Sequence, residues 1–535
     1  MDNSRTNGPI KARYEKQALT RKPFLDRARE CSKYTIPTLI PPEGANEHTK
    51  FKTPYQGVGA RGVNNIAAKL LLALFPPNSP FFKLYIPDDK VKAEIEQDPQ
   101  TKDQIELALS KIEQKGAKHI ESSNARSSLF EALRHLVVGG NILLYCPKDK
   151  KLSLQVYKLE NYVVKRDPAG NTVSLITKET TVWELLPDKV KEIVPRPPEE
   201  NADPNKKYEK KIDIYTEIAL VDDRWIVKQE IEGKNPPDSF GHYPKEKCPW
   251  IPLRFVKVDG EDYGRGYVEE YLGDLISLEE LMRSIVQGSV AAAKILFMVR
   301  PNSVTKKKTL ENAENGDIVE GSADDVSTLQ ANKFNDFRVA SETAQKITER
   351  LAHAFLMNTA IQRQAERVTA EEIRYMAQEL EDAIGGIYSL LAQELQLPFI
   401  RLVLDRLSQQ GVLPTLPANL VDITIVTGLE ALGRGQEMAK LDTFLKHLSP
   451  LGPEVIAQYV NLDNYMTRLA TYLGMDLTGL IKTKEEIQEE QARQQEAMQK
   501  AEMQKAMLNK GADYIKAGTQ AAQAYNDAQQ PPSAQ

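Results

Sequence analysis

Acidic, histidine and cysteine side chains are the usual carriers of chemistry, and here their spacing matches no common catalytic or metal-binding motif. The sequence has no G-x-x-x-x-G-K-[ST] phosphate loop, no H-E-x-x-H zinc motif, no G-x-S-x-G nucleophile turn and no calcium-binding EF-hand loop. Its six histidines lack the spacing of metal ligands: His48, His119, His135, His242, His353 and His447. We therefore expect no catalytic residue, no metal site and no cofactor, in a protein that is not an enzyme.

Two acidic clusters have a structural interpretation as well as a chemical one. Residues 259–266, DGEDYGRG, look like a metal-binding loop but lack the later bidentate glutamate of a calcium site, which favours a plain turn. Glu371 and Glu372 could form an acid–base pair. They also follow Thr369 at the spacing of a capping box, in which the Thr369 hydroxyl accepts a hydrogen bond from the Glu372 backbone N–H. We favour a helix start at this position.

Two basic clusters could contact phosphate or an acidic partner. Arg363 and Arg367 lie in the polar stretch 358–368, NTAIQRQAERV, and Lys306, Lys307 and Lys308 are consecutive. Arginine and lysine hold a nucleic acid by its phosphates without reading bases. The arginines are also compatible with the solvent side of one continuous helix, and the sequence alone modestly favours that interpretation. For the lysines, a solvated loop and a partner contact are equally good interpretations.

The overall composition restricts the class of protein. The chain has 535 residues, 41% of them hydrophobic and 27% charged, which is typical of globular proteins with several packed units. A net charge of −5 argues against a tight nucleic-acid binder, since phosphate neutralisation supplies most of that affinity, but not against one that lets DNA slide past. The three cysteines suit a reducing compartment. Apolar runs are interrupted by Lys69 and Lys294, so we expect no signal peptide, no membrane span and a cytoplasmic, soluble product.

The spacing of apolar side chains predicts helices in the first part of the chain and strands in the part that follows. Residues 61–75 show helical spacing of apolar side chains and stop at Pro76-Pro77, and residues 104–120 and 125–138 also look helical. After Gly139-Gly140 the run NILLYC predicts a buried strand. Residues 151–258 are rich in β-branched and aromatic side chains and predict a β region, with the polar, proline-rich stretch 195–211 as an exposed loop.

The second half of the chain predicts long helices. Residues 267–293 form one extended amphipathic segment. An irregular stretch, 294–333, follows with strand signals in ILFMV, GDIVEG and VSTL, and its basic residues precede its acidic ones. A second helix covers 334–357. A third begins at Thr369 and is expected to kink at Gly385-Gly386. Beyond 436 the chain reads as helical, with a disordered tail.

Five long stretches carry a family resemblance. They lie between residues 51 and 436: TPYQGVGARGVNNIAAKLLLALFP, LFEALRHLVVGGNILLY, YPKEKCPWIPLRFVKVDGEDYGRGYVEEYLGDLISLEEL, ERVTAEEIRYMAQELEDAIGGIYSLLAQELQLP and TGLEALGRGQ. In these the chain resembles the portal, or head-to-tail connector, proteins of short-tailed bacteriophages that encode a single-subunit RNA polymerase. The stretch after about 440 matches weakly, and 195–211 departs from the pattern.

The resemblance implies an α+β portal fold assembled as a dodecameric ring at one capsid vertex. The implied parts are a wing (1–266), a first stem helix (267–293), a clip (294–333), a second stem helix (334–357), a tunnel loop (358–369), a kinked wing helix with a return strand (370–435) and a helical crown (436–535). Because a closed ring repeats each side chain once per subunit, one arginine of the tunnel loop becomes a circle of positive charge around the duplex.

The resemblance also implies sites and partners. Arg363, Arg367, Gln362 and Gln364 would line the DNA channel, and Lys306, Lys307 and Lys308 would lie on the clip where partners dock. The implied partners are double-stranded DNA, other copies of the chain, the large subunit of terminase, tail adaptor and tail tube proteins, scaffolding and major capsid proteins, and internal core proteins. The location would be the head–tail junction of the virion, with assembly in the host cytoplasm and no membrane contact.

Two other classes of function stay open on the sequence. A packaging or nucleic-acid enzyme would need a nucleotide site, and the missing phosphate loop argues against it. An internal virion or scaffold protein without a channel would share the composition but would not form rings with a central hole.

Overall fold

The structure is a computed structural model. It describes residues 8–46, 48–77, 80–88, 99–148, 152–194, 211–237, 239–292, 296–329, 334–357, 385–414 and 421–426, and a few short pieces beyond 445. The chain divides into two units, Met1–Leu441 and Asp442–Gln535. The described pieces of the second unit include one helical turn at 446–448, and the remaining description concerns the first unit.

Helices dominate the first part of the chain. The elements are α1 (Ile10–Lys33), α2 (Val58–Leu74), β1 (Phe82–Tyr85), α3 (Pro99–Glu121) and α4 (Ala125–Gly139). Helix α2 stops before Pro76-Pro77, as the sequence predicts. Helix α1 was not predicted, because its buried face mixes apolar residues such as Ile10 and Leu25 with the polar residues Arg21 and Ser32. The Arg21 guanidinium donates to the Glu160 and Tyr162 carbonyl oxygens at 2.9 and 2.7 Å, which makes its burial tolerable.

Two antiparallel sheets follow. Their elements are β2 (Asn141–Tyr145), β3 (Gln155–Tyr157), β4 (Tyr162–Arg166), β5 (Thr172–Val182), α5 (Asp188–Lys191), β6 (Lys211–Val221), β7 (Arg224–Ile231), β8 (Gly241–Pro244) and β9 (Trp250–Arg254). The strand order is β3-β2-β9 in the small sheet and β4-β5-β6-β7-β8 in the large one. The β region predicted over 151–258 is confirmed as strands. Helix α1 contacts the large sheet at β4, β6 and β7.

The remaining elements begin with two long helices and the excursion between them. They are α6 (Tyr267–Glu270), α7 (Leu272–Ala292), β10 (Leu296–Val299), α8 (Lys307–Asn312), β11 (Val326–Leu329), α9 (Phe334–Ala354), α10 (Gly385–Gln409) and β12 (Asp422–Ile425). The single segment predicted over 267–293 is interrupted by a turn at Tyr271. The prediction of a strand in GDIVEG is wrong. Those residues lie in an exposed loop, and none of the described strands pairs with them.

One main core lies between α2, α4, α10 and the small sheet. Ile66, Leu70, Leu133 and Phe399 are fully buried there, and each such side chain stabilises the fold by about 1.5–3 kcal/mol. Trp250 packs in this core with its ring stacked on Tyr145 at 4.5 Å between centroids. Strand β12 returns to pair with β1, far away in sequence.

The start of the long-helix region is fixed by close backbone packing. Gly266 lies against the Val138 carbonyl, and a Cβ there would stand 2.5 Å from that oxygen. Gly140 has φ +72° and packs on the backbone of Arg265, so neither position accepts a side chain. Asn141 joins the same place, because its side chain accepts from the Gly264 N–H at 2.7 Å and donates to the Gly264 carbonyl at 2.8 Å.

Helix α10 is long and apolar enough to cross a membrane by length and composition alone, and core helices of soluble proteins meet the same test. Its buried residues, including Phe399, Ile400, Val403 and Leu407, belong to the main core of the first unit. A π-helical turn, Ala392–Gln396, interrupts it. Such turns re-aim side chains and are frequent at functional positions.

Candidate channel and docking elements

Helices α7 and α9 pack against each other in antiparallel orientation. Near the core, the Arg350 Nε donates to Asp274 at 2.7 Å, so the end of α9 lies beside the start of α7. At the other end the Phe337 ring lies on Gly288, where any side chain would overlap it. The two helices therefore lie side by side for most of their length. The excursion that connects them, which contains β10 and β11, follows at the far end of the pair.

Burial of apolar side chains stops part-way along this pair. We call residues 279–343 the outer segment. Leu278 and Ala344 flank it and are buried, but no apolar side chain that the structure describes between them is buried. Of the fifteen large apolar side chains that are exposed in the described residues, eight belong to this segment: Val286, Val290, Met298, Val304, Leu310, Ile318, Val319 and Val339. Exposed apolar side chains gathered in one region indicate a surface that another protein covers.

The excursion within the outer segment is organised by polar contacts instead of a core. Strands β10 and β11 pair in register from Leu296–Leu329 to Val299–Val326. Thr305 is buried; its hydroxyl contacts the Asp325 carboxylate at 3.1 Å and accepts from the Ser322 N–H at 3.0 Å. The Arg300 N–H donates to the Asp325 carbonyl at 2.9 Å. These bonds fix the shape of the loop while leaving its apolar side chains outside.

The three predicted docking lysines lie at the start of α8. Lys306 is the residue before the helix, Lys307 and Lys308 form its first turn, and all three are exposed. Positive charge at the N-terminal end of a helix opposes the helix dipole, so this placement does not serve helix stability. Lys307 lies 3.8 Å from Glu311 across one exposed turn, a contact of small energetic value. Lys308, Asp317, Ile318 and Val319 line one open groove, so basic and acidic residues meet there although the sequence separates them.

The predicted channel residues are not placed by the structure. Gln362, Arg363, Gln364 and Arg367 lie within 358–384, outside the described residues. What the structure does describe is where the chain leaves α9 before them and the residues of α10 from Gly385 onward.

The C-terminal end of α9 receives donors from two other elements. The Tyr267 hydroxyl donates to the Ala354 carbonyl at 2.8 Å. The Asn65 side-chain amide donates to the Phe355 and Leu356 carbonyls, both at 2.9 Å. The Lys69 ammonium donates to the Leu356 carbonyl at 2.9 Å. We call these three donor side chains the α9 cap. The sequence interpretation missed them, although a lysine inside the apolar stripe of α2 was a signal that a buried acceptor lay nearby.

The middle of α10 is held by a buried ionic cluster on its π-helical turn. Glu394 accepts hydrogen bonds from the backbone N–H and the guanidinium of Arg254, and Arg166 lies 3.7 Å away. Burial lowers the pKa of Arg166, and the nearby Glu394 carboxylate opposes that change. Two residues later the Gln396 amide donates to the Leu74 carbonyl at the end of α2. Helix α2 thus contacts the chain on both sides of 358–384.

The titratable groups of the described residues are engaged in structure rather than gathered for chemistry. In the acidic turn 259–266, Asp262 accepts from the Arg166 N–H and Glu261 pairs with Arg265, both at 2.7 Å. Burial lowers the pKa of His135 to about 3 and raises that of the Cys31 thiol to about 12. Within the described ranges, no three histidine, cysteine or carboxylate side chains converge as metal ligands.

Comparison with known proteins identifies the family. The family described as bacteriophage head to tail connecting protein matches residues 7–481. The portal protein of Escherichia phage T7 is 42% identical over 485 residues, which are 90% of this chain and 89% of that protein. The portal protein of Enterobacteria phage SP6 is 32% identical over 89% of this chain and 90% of that protein. The chain belongs to the bacteriophage head-to-tail connecting proteins.

As a connecting protein it has a structural role at the head–tail junction and is not an enzyme, and the resemblance seen in the sequence is confirmed. A solved chain from the neck of an empty gene transfer agent particle is also similar, at 13% identity and a TM-score of 0.35, over 72% of this chain and 86% of that one.

Proposed function

We propose that this connecting protein is a portal protein. Copies of the chain would form a dodecameric ring at one capsid vertex, through which double-stranded DNA enters during packaging and leaves during ejection. The 42% identity to a portal protein over nine-tenths of the chain supports this assignment. Residues 1–266 would form the wing, α6–α7 and α9 the stem, 294–333 the clip, 358–369 the tunnel loop, 370–435 the kinked wing helix with its return strand, and 436–535 the crown.

The observation that best supports a ring is the exposure of apolar side chains in the outer segment. A pair of antiparallel helices with Val286, Val290 and Val339 in solvent buries too little by itself to be stable at its far end. Neighbouring copies placed side by side would cover these valines, because a closed ring brings the same surfaces together at every interface. The wall of the channel would then consist of the paired helices of all subunits.

The tunnel loop would hold DNA by charge alone. Arg363 and Arg367 would form circles of positive charge, with Gln362 and Gln364 beside them, at the narrowest part of the channel. Since DNA carries about one charge per 1.7 Å of axis, such circles slow or retain the duplex without reading its sequence. The net charge of −5 for the whole chain keeps the rest of the surface from binding DNA tightly.

The clip would be the docking site for other proteins of the particle. Lys306, Lys307 and Lys308 are exposed at the start of α8, where their charge serves a partner better than it serves the helix. We propose that the terminase large subunit docks here during packaging and the tail adaptor and tail tube proteins afterwards. The wing and crown would contact scaffolding protein, the major capsid protein and internal core proteins, during assembly in the host cytoplasm.

Negative-stain images of the purified chain test the ring. Rings with a central hole and twelvefold symmetry support the proposal. A filled or irregular assembly would favour an internal virion or scaffold protein, and hydrolysis of ATP by the purified chain would favour a packaging enzyme.

Replacing both arginines tests the retention of DNA. Arg363→Ala with Arg367→Ala should leave ring formation unchanged and let packaged DNA leak from the particle, measured as nuclease-resistant DNA over time. Normal retention by this double variant would show that these arginines do not hold the DNA.

Charge reversal tests the docking site. Lys306→Glu, Lys307→Glu and Lys308→Glu together should leave rings intact and lower packaging, with an unchanged amount of packaged DNA as the result that removes the charge argument. As a control, Lys346→Glu reverses one exposed lysine on α9 and should leave packaging unchanged.

A further inference from the structure

Arg406, in the second half of α10, is a buried cation whose charge the described part of the chain does not balance. The residue is only 9% exposed, and α10 packs there against α3. We propose that Arg406 and His119 bind a small inorganic anion, chloride, between these two helices. The site is separate from the candidate channel and docking elements, and it does not depend on the proposed function.

The guanidinium of Arg406 is satisfied on one side only. Its Nη2 donates to the carbonyl oxygens of Cys146 and Pro147 and contacts the Cys146 sulfur at 3.3 Å, just after β2. Its Nη1 is shielded from solvent and has no hydrogen-bond partner among the described residues. A guanidinium does not lose its proton in a protein, so both the charge and the free N–H groups persist in the folded chain.

The acidic side chains near Arg406 are paired with other cations. Asp405, its neighbour in sequence, accepts a hydrogen bond from Lys247. One turn earlier on the same helix, Arg401 lies 3.5 Å from Glu246. Within the described ranges, no carboxylate forms an ion pair with Arg406.

A second buried arginine of the same core shows what is missing. Arg254 is as well buried as Arg406, but the Glu394 carboxylate pairs with it. A buried charge without a counter-charge strongly destabilises a fold, whereas a paired one is tolerated. Arg406 therefore requires a negative charge that the described side chains do not supply.

His119 on α3 provides a second shielded polar atom beside Arg406. The two helices touch where a Cβ on Gly116 would lie 3.4 Å from the Leu404 side chain, and His119 follows Gly116 by one helical turn. Burial and the nearby charge of Arg406 lower the pKa of the His119 imidazole, which is therefore neutral at pH 7. Its Nε2 is shielded and has no partner in the described ranges, and one tautomer donates an N–H from this atom.

The chemistry of these two groups selects the ligand. Arg406 supplies a full positive charge and a charge-assisted donor, and His119 supplies a second donor. Because both atoms are closed to solvent, the anion must be small and must shed its own water, which costs a singly charged chloride less than a phosphate. A buried water would satisfy the same two atoms but would leave the charge of Arg406 unbalanced.

A chloride titration of the purified full-length chain tests the site. The unfolding temperature is measured while sodium chloride replaces sodium gluconate at constant ionic strength. For the wild-type chain it should rise and then level off, as saturation of one site predicts, and the protein should broaden the NMR resonance of chloride. Arg406→Met keeps an unbranched side chain but removes the charge, and it should abolish both effects.

Two further variants separate the site from general effects of salt. Arg401→Met is the matched control, because it makes the same substitution on the same helix at an arginine that has carboxylate partners. It should keep the saturating response and the broadening. His119→Phe keeps the charge of Arg406 and removes the second donor, so the chloride concentration at half-saturation should rise at least about tenfold.

Each result decides the proposal. An equal dependence on chloride in the wild-type chain and in Arg406→Met overturns the site and leaves a buried water as the partner of Nη1. Loss of the response in Arg401→Met as well also overturns it, because chloride then acts on the whole surface. If Arg406→Met does not fold, His119→Phe decides, and an unchanged half-saturation excludes the site. Ring formation and DNA retention are measured separately, so these results leave the proposed function untouched.

Discussion

The main core of the first unit and the outer segment differ in what covers their apolar side chains. In the core, Ile66 and Leu133 are fully buried, and even the charges of Arg254 and Glu394 are paired inside the chain. In the outer segment, Val286 and Val290 are exposed and the buried position is taken by a polar residue, Thr305. The first region buries its apolar side chains within the chain. The second has a sequence suited to contacts outside the chain, so substitutions should affect folding in one region and assembly in the other.

Breaking the buried ionic cluster should give the largest loss of stability. Glu394→Ala leaves the guanidinium groups of Arg254 and Arg166 buried without their carboxylate. The expected loss is about 3–5 kcal/mol in the free energy of unfolding, since removing one partner strands a buried charge. Urea unfolding of the unassembled chain measures it. As a control, Glu320→Ala in the outer segment should change stability by no more than about 0.5 kcal/mol, and equal losses at the two glutamates would break the comparison.

The same substitution in the two regions should give a smaller but sharper contrast. Val63 on α2 is fully buried and Val290 on α7 is exposed. Val63→Ala should cost about 2–3 kcal/mol through lost burial and the cavity left behind. Val290→Ala should leave the unassembled chain as stable as before, because alanine favours helix, and should weaken assembly instead. A similar loss of unfolding free energy at both valines would contradict the distinction.

The stability of the folded chain should depend on pH through one buried histidine of the core, His135. Burial lowers the pKa of His135 to about 3, and neither ring nitrogen has a hydrogen-bond partner among the described residues. The unfolded chain therefore binds a proton at this site below about pH 6.5, and the folded chain does not. The contribution of the neutral, buried His135 to the free energy of unfolding is fully present above pH 6.5. It is lost at about 1.4 kcal/mol per pH unit as the pH falls toward 3. His135→Leu should flatten the stability curve between pH 6.5 and 5, while parallel curves for the two proteins would exclude this cause.

Helices and strands with a regular apolar pattern were predictable from the sequence. The helix expected over 61–75 is α2, and the strands of 151–258 form the two sheets together with β2, the strand expected in NILLYC. Helix α1 was not predictable, because the partners of its buried Arg21 are carbonyls of residues 160 and 162. The strand predicted in GDIVEG is not observed. Ile318 has a side chain that favours strands, but it is fully exposed and its segment pairs with no described strand.

The candidate site was predictable only in part. The resemblance gave the family. The lysines Lys306–Lys308 were visible as a basic cluster and are exposed at a helix start, and their docking role remains a prediction. The α9 cap could not be read from the sequence, because it joins residues nearly 300 positions apart. The assignments of Arg363 and Arg367 remain predictions, since these residues lie outside the described ranges.

Sedimentation velocity of a variant with two aspartates tests most directly whether the outer segment is covered by neighbouring copies. Val286→Asp with Val290→Asp should sediment as a monomer where the wild-type chain forms rings, with an unchanged unfolding temperature of the unassembled chain. A matched pair of charges at exposed leucines elsewhere, Leu19→Asp with Leu185→Asp, should still assemble. Rings of wild-type size and stability from the valine variant would contradict the account.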